Sequence, residues 1–234
     1  IQKIEPESFE EMLHYAFANT SENEAVVICK SNKRANMFNQ AIRGRILNIE
    51  GEIATGDKLM VVKNNYYWTE GNDAMNFIAN GDMAEIRKIK HFEEMYGFRF
   101  ADVELSFTDY QDTPNIEAKI LLDTINSNSP SLTNEESKKL YSAIEEDYMD
   151  IPNRRERFKE IKKNPWFNAL QVKFASALTR HKTKGGQWNN IFIDSSFNQK
   201  ETLEVQDLRW LYTALTRAQK KVYFVNFKEE FFEE

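Results

Sequence analysis

The chain has 234 residues, with 31 Lys+Arg against 37 Asp+Glu for a formal net charge of −6, and it is 41% hydrophobic and 13% aromatic. That length holds one large domain or two small ones, and that apolar share builds a packed core, which excludes wholesale disorder. The acidic total argues against a generic polyanion binder, while saying nothing of a local basic patch facing one ligand.

Cys29 is the single cysteine, which excludes an internal disulfide and a thiolate zinc site and makes a reducing, cytoplasmic setting the expectation. No apolar stretch approaches the roughly 20 residues that span a bilayer. The opening Ile1 to Glu11 lacks a charged n-region followed by an apolar run, so neither export nor a membrane partner is expected. The chain begins at Ile rather than Met, which points to a piece of something longer.

Ser8 and Glu11 have the spacing of a capping box, and Met12, Leu13, Ala16 and Phe17 follow at helical period, which predicts a helix over about 8–19. Ala25-Val-Val-Ile-Cys29 is a short apolar run suited to a strand buried on both faces of a parallel sheet. Ser31 or Asn32 caps the next helix, with Ala35, Phe38, Ile42 and Ile46 as its buried stripe. The pattern then changes. Lys58 to Lys63, Glu85 to Ile89, Arg99 to Phe107 and Ile116 to Leu122 read as strands, punctuated by Gly56-Asp57, Gly71-Asn72 and Asn80-Gly81-Asp82, and together predict a small antiparallel barrel. Thr133 with Glu136 forms a second capping box, and a charged helical segment runs to about Lys163 with an interruption at Pro152.

From Leu170 the α/β rhythm returns. Gln171 to Ala177 reads as a strand, Asn190 to Asp194 as a buried strand, Gln206 to Ala218 as a helix and Lys221 to Asn226 as a closing strand. Leu208, Leu211, Tyr212, Leu215 and Ala218 are the expected buried stripe of that helix. The expected fold class is α/β, a parallel sheet flanked by helices from residues 1–55 and 171–234, with a barrel and helical insertion over 56–170.

Two segments concentrate chemistry. Thr179-Arg-His-Lys-Thr-Lys-Gly-Gly-Gln-Trp188 follows a strand directly, where open α/β sheets bind ligands. Its hydroxyls, cations and Gly pair suit a phosphate, and a solvated Lys-rich turn explains the same composition. In Arg209 to Ala218, Thr213 and Arg217 share a helix face, so Arg217 reaches out to a phosphate or sits as a surface or salt-bridged arginine. His14 and His91 are isolated and read as structural. The basic run Arg154 to Lys163 either tracks nucleic acid or, as the interleaved Glu156 and Glu160 favour, forms a solvated helix face, and Tyr66, Tyr67 and Trp68 either stack bases or, as is commoner at a strand end, belong to the core.

Together the two segments resemble motifs V and VI of superfamily 1 helicases: Ala177-Leu-Thr-Arg-His-Lys-Thr-Lys-Gly-Gly-Gln-Trp188 and Leu211-Tyr-Thr-Ala-Leu-Thr-Arg-Ala218. Gly56-Asp57-Lys58, Lys63-Asn-Asn-Tyr66 and Asn80-Gly-Asp82 are similar to the RecD-like and Dda-like branch, where such motifs open a barrel inserted in the second RecA-like domain. The resemblance implies a C-terminal helicase half with ATP and Mg²⁺ held mainly by an N-terminal RecA-like partner domain. The nearest approach to a Walker A loop, Gly51 to Lys58, has Asp57 where the phosphate-binding Lys is required. The chain alone is therefore expected not to hydrolyse ATP. The resemblance implies that Arg217 is an arginine finger, and that Gly185, Gly186 and Gln187 border the nucleotide, Gln187 standing where many relatives have Glu. It further implies that Asn32, Thr179, His181 and Lys182 touch the backbone of single-stranded DNA. Lys184 stands where this branch often has Gln and the UvrD branch Lys. No residue specifies a nuclease or repair partner. A module of another class, one that binds nucleic acid or protein without catalysis, is the rival that the same fold allows.

Overall fold

The computed structural model describes residues 2–4, 8–18, 25–71, 74–110, 113–183, 185–195, 204–227 and 232. Asn72 and Lys184, singled out by sequence, lie outside them. The chain forms two compact units, Ile1–Gly51 with Ala175–Glu234, and Glu52–Phe174.

In the first unit β1 (Gln2–Lys3) is followed by α1 (Phe9–Ala18), β2 (Ala25–Cys29) and α2 (Asn32–Ala41), which continues as a π-helical turn over Ile42–Ile46. Ser31 caps α2, its Oγ accepting the Arg34 N–H at 3.2 Å. The cap is thus Ser31, and Asn32 is the first helical residue. The stripe Ala35, Phe38, Ile42 and Ile46 is buried as its spacing requires, packing with Phe17, Val27, Phe192 and Tyr223. The Phe192 and Tyr223 rings stack at 4.7 Å across neighbouring strands.

The second unit opens with β3 (Lys58–Val61), β4 (Met83–Met95), β5 (Phe98–Phe107) and β6 (Ile116–Leu121), then α3 (Asn134–Glu146), α4 (Arg154–Ile161) and β7 (Leu170–Phe174). The five strands close a barrel in the order β3-β4-β5-β6-β7. Its pairs are antiparallel except β6 with β7, which run parallel at Ile120↔Leu170. Two turns of the same build, Ala54-Thr55-Gly56-Asp57 and Ala79-Asn80-Gly81-Asp82, launch β3 and β4. In each, the Asp carboxylate accepts the N–H of the Ala three residues back, at 2.6 Å for Asp57 and 2.7 Å for Asp82. Each Gly takes a left-handed φ, +91° and +114°, which an L side chain resists. These Gly-Asp motifs have a complete structural account as turns that start barrel strands.

β4 extends six residues past the expected end at Ile89, pairing with β5 as far as Met95↔Phe98. Tyr96 and Gly97, both at positive φ, form the two-residue hairpin turn that matches strand twist. The barrel interior buries Leu59, Val61, Ile86, Val103, Leu105 and Ile120. α3 and α4 bury Leu140, Ile144 and Ile161 against Phe98 and Phe100 in a separate cluster.

The run expected as one strand, Gln171 to Ala177, is two. β7 pairs with β3 in the barrel, Leu59↔Phe174. β8 (Ala177–Thr179) then joins the parallel sheet beside β2. A 3₁₀ turn over Arg180–Thr183, β9 (Trp188–Asp194), α5 (Val205–Leu215) and β10 (Ala218–Val225) complete a five-stranded parallel sheet in the order β1-β10-β9-β2-β8.

Candidate functional site

Strand register sorts the expected site residues into two groups. At the carboxyl edge of the sheet Cys29 pairs with Thr179 and Val225 with Asp194. Thr179, the 3₁₀ turn with His181 and Lys182, and Asn32 at the start of α2 all follow these strand ends. At the amino edge Trp188 pairs with Ala218. Arg217 immediately precedes it, and Gly185, Gly186 and Gln187 lead into Trp188. β9 spans the edges with 7 residues, about 20 Å at a strand's rise. Residues 180–183 thus lie after the carboxyl edge, and residues 185–187 lead into the amino edge.

Arg217 does not sit within α5. The helix ends at Leu215, and Thr216 and Arg217 form a turn in which the Arg217 N–H donates to Ala214 O at 3.1 Å. Its side chain folds back on the helix end: Nε donates to Thr213 O at 3.3 Å and Nη2 to Thr216 Oγ1 at 3.2 Å. A guanidinium there meets the negative end of the helix dipole. Both acceptors are neutral. Among the described residues Arg217 has no carboxylate partner, so the salt-bridged reading of this arginine does not hold. The Arg217 carbonyl accepts the Trp188 N–H at 2.9 Å, and Gln219 Nε2 donates to Gln187 Oε1 at 3.1 Å. These bonds fasten Gln187 and Arg217 to one edge.

The expected buried stripe of α5 is displaced. Asp207, Trp210 and Ala214 are the buried residues, while Leu208 and Tyr212 are 53% and 70% exposed. Lys30 Nζ pairs with Asp207 at 3.0 Å and ties the helix start to the turn after β2. That ion pair and the Trp210 ring set the helix phase.

The glycine pair has a steric cause. Gly185 holds φ +93°, and a Cβ on Gly186 would lie 2.3 Å from Cη2 of the Trp188 ring. Gly186→Ala is therefore expected to displace a buried indole and cost about 1–3 kcal/mol. Thermal unfolding monitored by tryptophan fluorescence measures it, and an unchanged midpoint would show that the ring moves freely.

His181 is exposed, its Nε2 2.9 Å from Arg180 Nη2. Lys182 is half-buried, and burial lowers its hold on the proton; a nearby phosphate would reverse that shift. Thr183 is buried, its hydroxyl donating to Arg180 O at 2.8 Å. In the second unit Tyr66 is 66% exposed and stacks on Phe77 at 5.1 Å, rather than entering the core with half-buried Trp68.

One group at the carboxyl edge was not among the expected site residues. Asp194, fully buried, accepts Arg34 Nε at 2.8 Å and Nη2 at 2.7 Å, with Asn226 Nδ2 at 3.1 Å. The Asp194 hydrogen bonds hold the Arg34 guanidinium above its ordinary pKa. Burial, then the Asp194 charge, pushes the Cys29 thiol up, so Cys29 stays a neutral core group. An acid ending the otherwise apolar run Ile191-Phe-Ile193 was the available signal, since such a charge requires a cation.

Residues 174–225 match the family model of the UvrD-like helicase C-terminal domain, a span from the last residue of β7 to the end of β10 that contains both edge groups except Asn32. Among solved structures the chain is similar to Pif1 helicase from Candida albicans, at 10% identity over 97% of this chain and 51% of that chain, with a TM-score of 0.50. It is also similar to Pif1 helicase from Bacteroides in complex with ADP-AlF3 and ssDNA, at 14% identity over 94% of this chain and 45% of that chain, with a TM-score of 0.48. The chain thus spans about half the length of the Pif1 helicases it matches. No curated protein matches it by sequence. Over residues 174–225 the chain is thus similar to the UvrD-like helicase C-terminal domain, and the parallel sheet interrupted in sequence by a barrel is the fold it shares with the Candida albicans structure.

Proposed function

We propose that this chain is the second RecA-like half of an ATP-dependent DNA helicase of the RecD-like, Dda-like branch, which translocates on single-stranded DNA and unwinds duplex. The observation that carries the reading is Arg217, a part-exposed cation on the helicase-matched segment whose side-chain acceptors among the described residues are a carbonyl and a hydroxyl. Such a guanidinium leaves weak neutral partners for a phosphate at little cost, since charge-assisted bonds are about twice as strong as neutral ones. ATP with Mg²⁺, bound mainly by an N-terminal RecA-like domain, supplies the phosphoryl group. Arg217 places positive charge against it, while Gly185, Gly186 and Gln187 border the nucleotide from the same edge.

At the opposite edge Thr179, His181, Lys182 and Asn32 hold the DNA backbone. The turn presents Lys182 half-desolvated, which strengthens its attraction to a phosphate. Separation of the two groups by about the length of β9 lets closure on ATP at one edge shift the strand held at the other.

Strand displacement by the complete protein tests the reading, with 5′-tailed and 3′-tailed duplexes as substrates. Unwinding that requires ATP is expected, with the 5′ tail preferred; absence of both DNA-stimulated hydrolysis and unwinding overturns the proposal. Thr179→Ala, His181→Ala and Lys182→Ala should each weaken single-strand binding about equally for every base sequence, because phosphate contacts carry no sequence information. Sequence-dependent losses, or none, would remove these residues from the strand site.

A further inference from the structure

The proposed function leaves unused the basic run on α4, in which Glu156 and Glu160 alternate with the cations. Along the chain the mixture has the look of a solvated face. Folded, it separates. At about 100° per residue, Arg154, Phe158, Lys162, Arg155 and Lys159 fall within one arc of about 140°, and the two acids fall outside it. On the inner side Ile161 is buried, and Arg157 is bound to Glu145 at 2.9 Å and to Ile151 O at 3.1 Å. Lys163 pairs with Glu160 at 2.8 Å.

Nothing neutralises the outer arc. Arg154, Arg155 and Lys159 are exposed and have no ion pair among the described residues. Lys162 Nζ lies 4.8 Å from the centroid of the Phe158 ring, which is 40% exposed. Arg155 and Lys159 are like charges at i,i+4, an arrangement that weakens a helix by a few tenths of a kcal/mol, about 0.2–0.5. A chain with a net charge of −6 thus concentrates on one helix face positive charge that has no carboxylate partner among the described residues.

We propose that this face of α4 binds the phosphate backbone of the nucleic acid on which the helicase acts; the proposal rests on the helicase reading above. The cations span a helix of 8 residues, about 12 Å long. That length covers two to three phosphates of a strand, against which flexible Lys and Arg side chains can adjust without base readout.

The test uses the complete protein carrying Arg154→Gln, Arg155→Gln and Lys159→Gln together, with a control carrying Arg87→Gln, Lys88→Gln and Lys90→Gln. The control removes the same charge from β4, where Arg87 and Lys90 are already paired with Glu85 and Glu117. Binding of fluorescein-labelled single-stranded and forked DNA is titrated from about 50 to 200 mM salt. The α4 variant is expected to lose at least about tenfold in affinity at the low end on one or both probes, and its slope of log K against log salt should flatten by about 2. The control should keep both values near wild type. Unchanged affinity and slope on both probes, or equal losses in the control, overturn the proposal and leave the face to an acidic protein partner. Wild-type hydrolysis and binding, measured in the same series, separate this failure from failure of the helicase reading. All three side chains point to solvent, so circular dichroism should superimpose on wild type.

Discussion

Arg217→Ala in the complete protein is expected to lower DNA-stimulated ATP hydrolysis by about 10³–10⁵-fold while retaining the fold and most single-strand binding. The structure separates these effects. What truncation removes from this domain is one long bond to Thr213 O and one to Thr216 Oγ1, both at a part-exposed site, together about 1 kcal/mol. The scaffold that aims the side chain does not depend on it: Trp210 and Ala214 bury the helix, Lys30 pins its start, and backbone bonds fix the turn. The proposed strand site lies at the far edge of the sheet. Arg217→Lys should fail nearly as badly, because a point charge does not replace a planar fork spread over phosphoryl oxygens. Hydrolysis within about threefold of wild type, far short of that loss, would end the arginine-finger assignment. Unfolding of the variant would make the arginine a structural cap of α5.

The order of elements along this chain was legible because its two periodicities are strong. Ala25–Cys29 and Asn190–Asp194 are apolar runs of strand length, and the Ala35, Phe38, Ile42 and Ile46 stripe fits one helix face. The border between the units was not, because Leu170 to Thr179 keeps one strand-like pattern, with Gln171, Lys173 and Ser176 set among apolar residues and no turn residue between. Its first half is buried by the barrel and its second by the parallel sheet, and burial on either side looks identical in one dimension. The outer half of β4 was missed for the opposite reason. His91, Glu93 and Glu94 carry no alternation, and that ribbon is held by its hairpin partner β5 and by the Lys119 contacts to Glu93 and Asp102.

At the candidate site the segments and their elements were readable, and the phase of α5 was not. Leu208, Leu211, Tyr212 and Leu215 outnumber the apolar residues on the face that α5 buries. That face wins because Trp210 brings a large ring and Asp207 an ion pair, which apolar counting ignores. Likewise the glycines of residues 185 and 186 suit a phosphate loop by composition, whereas a left-handed turn and an adjacent indole already demand both.

The same blindness to paired charges hid the strongest electrostatic feature of the sheet. Arg34→Ala is expected to destabilise the protein by about 3–5 kcal/mol, because it strands Asp194 as a buried carboxylate without its cation. The pair is asymmetric: the Asp194 side chain is 0% exposed and that of Arg34 39%. Asn226 alone, donating at 3.1 Å, cannot replace a bidentate guanidinium at 2.7 and 2.8 Å. Asp194→Ala should cost less, since the part-exposed Arg34 guanidinium can turn to water and already has the Phe38 ring beside it, its Cζ 5.0 Å from the centroid. The double variant should then be more stable than Arg34→Ala alone, the reverse of additivity, because removing the second charge relieves the uncompensated burial left by the first. Urea unfolding of the three variants measures the order directly. A cost for Arg34→Ala below about 1 kcal/mol would place the pair among ordinary surface ion pairs. The consequence extends to the proposed strand site, since Arg34 anchors the first turn of α2 to the end of β9 and so positions Asn32 at the same edge as Thr179. Loss of the pair should therefore weaken single-strand binding as well as the fold, whereas Asp57→Ala, which opens a turn in the barrel, should weaken only the fold.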